Sequence, residues 1–265
     1  MRTIILMMAF VAAAGMDPVT GWAQGKPSAA EIVQRSNLAS YYQGNDGRAH
    51  VDMTITDAQE RTRNRRFVIL RRDTKDGGEQ KFYVHFSRPA DVRNTVFMVW
   101  KHIDKNDDRW LYLPALDLVK RIAASDKRTS FVGSHFFYED VSGRNPEDDT
   151  HELTETTDQF YVLKNAPKNP GEVEFSYYLL WIDKKNYLPM KAEYYDKNNT
   201  KYRRVETLKV ETIQKHPTVT EAKVSDLKSG GHTVSVFSKI QYDLGIPDDI
   251  FTERYLRRAP RKWLK

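Results

Sequence analysis

Residues 175–213 read FSYYLLWIDKKNYLPMKAEYYDKNNTKYRRVETLKVETI, three runs rich in aromatic and aliphatic residues cut by Lys184-Lys185-Asn186 and Lys197-Asn198-Asn199. Short runs of this kind bounded by polar turn residues predict strands, here Phe175 to Ile182, Leu188 to Tyr195 and Lys201 to Ile213, paired as successive antiparallel neighbours. In the first strand both faces are apolar: Phe175, Tyr177, Leu179 and Trp181 alternate with Tyr178, Leu180 and Ile182, so it is covered on both sides. In the second, Leu188, Met190, Ala192 and Tyr194 share a face that Lys191 and Glu193 avoid. A long sheet with one wet and one dry face must curl over something, whether a helix, a second sheet or a ligand.

The same pattern extends in both directions. Val219 to Leu227 and Thr233 to Tyr242 flank Ser229-Gly230-Gly231, with Val234, Val236, Ile240 and Tyr242 predicted on a dry face against Ser235 and Lys239. Toward the N-terminus, Arg65 to Arg72 and Glu79 to Phe86 flank Asp76-Gly77-Gly78, where glycine supplies the positive φ of a hairpin turn, and Val51, Met53 and Ile55 alternate in an earlier strand. Ser28-Ala29-Ala30-Glu31 has capping-box spacing and starts one amphipathic helix to about Tyr42. Residues 88–150 are less regular: Thr95 to Lys101, Arg109 to Leu113 and Val119 to Ala123 are strand-like, and Ser130 to Gly143 is an aromatic-rich loop or short helix. Pro247 to Arg258 predicts a closing helix, with Asp248 and Asp249 at its start and Arg257 and Arg258 at its end, the order that complements the helix dipole. No β-α-β alternation interrupts the meander, so the fold class is mainly β with a curved antiparallel sheet.

Residues 1–23 carry Arg2, an apolar run from Ile4 to Ala14 and the small-x-small step Gly21-Trp22-Ala23, the pattern of a cleavable export signal. The run is short for a membrane span, which favours cleavage over an uncleaved anchor and leaves residues 24–265 as a single exported domain. Loss of Arg2 and Asp17 keeps the net charge at +6. That excess suits an anionic membrane surface or acidic partner, or serves solubility alone; the dispersed cations and export argue against nucleic acid. With no cysteine, thiol catalysis, thiolate metal sites and disulfides are excluded together.

Catalytic constellations are lacking. The seven histidines have no paired short spacing, Gly133-Ser134 lacks the second glycine of a nucleophile elbow, and Asp104 to Asp108 lacks the alternation of a calcium loop. Asp148-Asp149-x-His151 reads more readily as a solvated acidic turn than as a metal site. Glu139-Asp140, near Tyr138 and His135, is the best remaining acid/base pair, but adjacent residues on a strand diverge, which favours a cap or turn. Neither cofactor nor metal is expected. Apolar and aromatic mass stands out instead: 14 Tyr, 12 Phe and 5 Trp. Collectively these suit a concave sheet enclosing an apolar cavity with tyrosines at its mouth.

The segment Asp108-Arg109-Trp110-Leu111-Tyr112-Leu113-Pro114-Ala115, then Lys120-Arg121-Ile122, Phe131-Val132-Gly133-Ser134 and Tyr138-Glu139-Asp140, resembles the outer membrane lipoprotein-sorting protein family, a LolA-like branch of the periplasmic lipoprotein carriers. The likeness runs from the Ala29 helix to Phe251–Leu256, and departs from the family pattern at His135-Phe136-Phe137. It implies a half-open antiparallel β-barrel with helices as a lid over an apolar cavity, acyl chains of a lipid or lipoprotein as cargo, and a resistance-nodulation-division (RND) type exporter of the inner membrane as partner. On this reading the cavity wall is assigned to Trp100, Trp110, Tyr112, Trp181, Met190 and Tyr194. Two other classes stay open: a ligand-free interaction module with a filled interior, and a hydrolase using Glu139 or Asp140.

Overall fold

The computed structural model describes residues 26–265; the expected export signal at residues 1–23 lies outside the described residues. The chain starts with α1 (Ala29–Tyr41), where Ser28 Oγ accepts from the Glu31 amide at 3.2 Å and the Glu31 carboxylate accepts from the Ser28 amide at 2.8 Å, the reciprocal pair read from the sequence. Six strands follow: β1 (Asp46–Thr56), β2 (Thr62–Asp73), β3 (Gln80–Arg88), β4 (Val96–Lys101), β5 (Asp108–Leu113) and β6 (Leu118–Arg121). A long connection holding α2 (Tyr138–Ser142) leads to β7 (Asp149–Thr156), β8 (Phe160–Pro167), β9 (Tyr177–Asp183), β10 (Pro189–Tyr195), β11 (Lys201–Ile213), β12 (His216–Asp226) and β13 (His232–Tyr242). The chain closes with α3 (Glu253–Arg257).

All strands join one antiparallel sheet in the order β6-β5-β4-β3-β2-β1-β13-β12-β11-β10-β9-β8-β7. Every neighbour is sequential except β1 with β13, so two meanders are stitched together at their first and last strands. The sheet curves but does not close, and its free edges are β6 and β7. These edges are consecutive in the chain, and the segment between them, residues 122–148, spans the opening. Its Phe131 and Tyr138 pack on the concave face against Phe67, Phe86 and Phe97, with ring centroids 5.0–6.2 Å apart. At the other end α1 covers the concave face of β8 and β9, burying Ile32 and Val33 against Leu163 and Ile182.

Several expectations are corrected by the pairing. β7 and β8 were not read from the sequence, because β7 (DTHELTET) is an edge strand whose single strongly apolar residue is Leu153. The closing helix is reduced to α3: Phe251 is buried in the core, and the chain turns at Thr252 after one turn of 3-10 helix at Asp248–Ile250. In β13 the dry face is inverted over its first half, with Ser235 buried at 2% and Val236 exposed at 44%. A bulge opposite Ala49 causes this, for Arg48 pairs with Gln241 while His50 pairs with Ser238, and Lys239 takes φ +49° to absorb the extra residue. Beyond the bulge the phase resets, so Ile240 and Tyr242 face inward as predicted.

Candidate functional site

Between the concave face, α1 and the residues 131–146 segment lies a partly open cavity of about 480 Å³, a volume in the range of small-molecule sites. One wall is apolar, built by Val51, Met53, Phe67, Ile69, Phe82 and Phe237, with Phe136 reaching over from the connecting segment. The space exists because the sheet presents Gly47, Ala49, Ala192, Ala222 and Ser235 where larger side chains would fill it. Its far end is polar, with Tyr178, Tyr194, Asp140, Arg144 and Asn165. The cavity is therefore amphipathic along its length, suited to a ligand with an apolar body and a polar end.

The polar end rests on a buried ionic network. Glu139, 3% exposed, accepts from Arg128 at 2.6 Å and Arg144 at 3.3 Å, with the Lys127 ammonium at 3.6 Å. Arg144 also holds Asp149 at 2.8 Å, and Asp149 accepts from the Tyr178 hydroxyl at 2.9 Å. Arg203 pairs with Asp140 at 2.5 Å, while Arg128 reaches Glu174 at 2.7 Å and lies over the Phe175 ring. Burial by itself would raise the Glu139 carboxyl, but the Arg128, Arg144 and Lys127 charges outweigh it and hold the group down at about 2. Burial drives the Tyr178 phenol well above its ordinary range, reinforced by Asp149, so at neutral pH it is a hydrogen-bond donor only in its neutral form. A carboxylate so firmly ionised and paired is a poor proton donor at neutral pH. Asp140 is similarly engaged, accepting from the Phe137 amide at 2.6 Å as well as from Arg203. The pair Glu139-Asp140 thus anchors the segment that spans the sheet edges.

Of the six side chains assigned to the cavity wall from the sequence, Tyr194 lies on it. Trp100, Trp110 and Tyr112 sit on the convex face, where they pack against the C-terminal segment; Trp100 Nε1 donates to the Phe251 carbonyl at 2.8 Å. Strands β4 and β5 are dry on both faces, and alternation sends Phe97, Val99 and Leu111 inward and the three aromatics outward. Trp181 also faces away, with the Lys191 ammonium 3.6 Å above its ring. Met190 is the extra residue of a bulge, since Pro189 pairs with Ile182 and Lys191 with Trp181, which removes it from the phase of Ala192 and Tyr194. The small residues Ala49 and Ala222 and the charged partners Arg128, Arg144 and Arg203 were not read from the sequence. The arginines' carboxylate partners include residues 46 and 63 positions away, beyond any local pattern.

His151, weighed for metal binding, and His135, weighed beside Glu139-Asp140, are engaged elsewhere. His151 contacts Asn165 Oδ1 at 2.6 Å and the Pro146 carbonyl at 2.9 Å, and His135 contacts Thr233 Oγ1 at 2.8 Å. Among the described residues no cluster of three or more His, Asp or Glu is placed to hold a metal ion. No helix among them is long and apolar enough to cross a membrane.

A family model described as an uncharacterized protein matches residues 78–258. Among solved structures, a DUF1329 family protein from Desulfovibrio piger is 29% identical with a TM-score of 0.79, covering 86% of this chain and 97% of its own. An outer membrane lipoprotein-sorting protein domain from Vibrio parahaemolyticus is 28% identical with a TM-score of 0.78, covering 87% and 98%. A LolA superfamily protein from Nitrosomonas europaea, 21% identical with a TM-score of 0.67 and covering 87% and 100%, shares the fold. No curated protein matches the chain in sequence.

Proposed function

The chain belongs to the uncharacterized protein family whose model it matches and has the LolA-like lipoprotein-sorting fold, and from that premise we propose that it is a periplasmic carrier for lipid or lipoprotein acyl chains. The observation that carries this reading is the half-open cavity of about 480 Å³ with an apolar wall and a polar end. Each methylene moved from water into such a wall is worth about 0.8 kcal/mol, so an acyl chain binds without any catalytic group. The Tyr194 hydroxyl and the Arg144 N–H groups not taken by its carboxylate partners offer hydrogen bonds at the far end to an ester or headgroup oxygen. A ligand-free interaction module has no use for space of this size, which favours the carrier. In this reading residues 1–23 direct export, residues 24–265 form the mature domain, and an RND-type exporter of the inner membrane acts beside it.

The test is mass spectrometry of organic extracts from mature protein purified without detergent from the periplasm of its own host. A stoichiometric acyl-containing species is expected. An empty protein that also ignores apolar probes would overturn the carrier in favour of the interaction module.

A further inference from the structure

On the convex side, away from the cavity, the C-terminal segment covers β2 to β5 by burying Ile246, Ile250, Phe251 and Leu256. Its outer surface is cationic. Arg254, Arg258, Arg261, Lys262 and Lys265 are exposed, and among the described residues none has a carboxylate within 4.0 Å. Across 246–265 six arginines and lysines outnumber three acids, Asp248, Asp249 and Glu253, and Asp248 is already paired with Lys81 at 2.7 Å. Beside this segment lies the turn between β5 and β6, whose Leu116 is 70% exposed. The two features are tied together, because Asp117 in that turn accepts from Arg257 Nε at 2.9 Å and from the Tyr112 hydroxyl at 3.2 Å.

We propose that this face is a docking surface for an anionic phospholipid bilayer. Leu116 on the exposed turn enters the boundary between headgroups and acyl chains, and the arginines and lysines without carboxylate partners meet the phosphates. Charge complementarity selects this occupant: cations left without carboxylate partners on a folded surface, Arg254 and Lys262 resting only on the Tyr255 and Trp263 rings, are free to attract an anionic one. A convex tip also suits a yielding medium, whereas a folded protein would need a pocket shaped to receive it. The docking surface deepens the carrier reading, on which it rests only for its purpose, by naming the face that meets the membrane.

The test is co-sedimentation of the full mature chain with vesicles of phosphatidylcholine alone or mixed with phosphatidylglycerol. Binding to the anionic vesicles is expected to exceed binding to neutral ones at least tenfold and to be released by about 0.5 M salt. The triple variant R258E/R261E/K262E is expected to lose at least about a hundredfold in affinity, about fivefold for each of the three charges near the surface, and Leu116→Asp several-fold. All four side chains are exposed, so both variants fold. Ala222→Phe, which fills the cavity, is expected to leave vesicle binding unchanged, separating failure of this proposal from failure of the carrier reading. No binding, equal binding to neutral vesicles, or binding that survives both the charge and Leu116 variants would overturn it; survival would direct attention to a protein partner.

Discussion

Filling the cavity from its floor is the most direct perturbation of the proposed carrier. Ala222 on β12 and Ala49 on β1 both line the space, and each presents only a methyl group to it. Ala222→Phe adds six ring carbons and displaces about five methylenes of a bound chain, each worth about 0.8 kcal/mol. The loss is about 4 kcal/mol, or about a thousandfold in affinity. Overpacking a tight core costs about 1–3 kcal/mol, but here the ring enters existing space, so the thermal midpoint is expected to stay within a few degrees of the parent. Titration with a fluorescent fatty acid, with circular dichroism as the control, reads both quantities. A folded Ala222→Phe protein that binds the probe with parental affinity, together with an equally unaffected Ala49→Phe, would refute the assignment of this cavity as the ligand site.

Trp181→Ala removes an aromatic on the convex face under Lys191; fatty-acid affinity is expected to stay within about threefold, at a stability cost near 1 kcal/mol, and a larger loss of affinity would place Trp181 back in the site. Because the folded Glu139 carboxyl lies at about 2 against an ordinary 4.5, its contribution of at most about 3 kcal/mol is complete above about pH 5 and is lost as pH falls toward 2. Urea midpoints measured across that window should fall, while Glu139→Gln, which takes one carboxylate from Arg128 and Arg144 but leaves them Glu174 and Asp149, should be about 3 kcal/mol less stable at pH 7 and show a flatter acid dependence. Gly143, at φ +75°, ends α2 against Tyr41, and an added Cβ would lie 2.5 Å from Tyr41 Cζ. Gly143→Ala is expected to cost about 2 kcal/mol and lower the thermal midpoint by about 4–8 °C; an unchanged midpoint would show that Tyr41 yields freely.

Local chemistry was enough to predict the capped α1, the turns at Asp76-Gly77-Gly78 and Ser229-Gly230-Gly231, and the meander from Phe175 onward, because helix caps, hairpin turns and two-residue alternation are set by neighbours in the chain. It did not determine which face of a doubly dry strand looks into the cavity. For Trp100, Trp110 and Tyr112 that choice belongs to the C-terminal segment, which arrives from far along the chain to cover the convex side. Nor could alternation be carried through a bulge: one extra residue at Met190 or Lys239 reverses the phase, and whether a residue is extra depends on the partner strand. The network around Glu139 had to await the fold for the same reason, since Glu174 and Arg203 lie on distant segments that only the curvature of the sheet brings to the cavity's end.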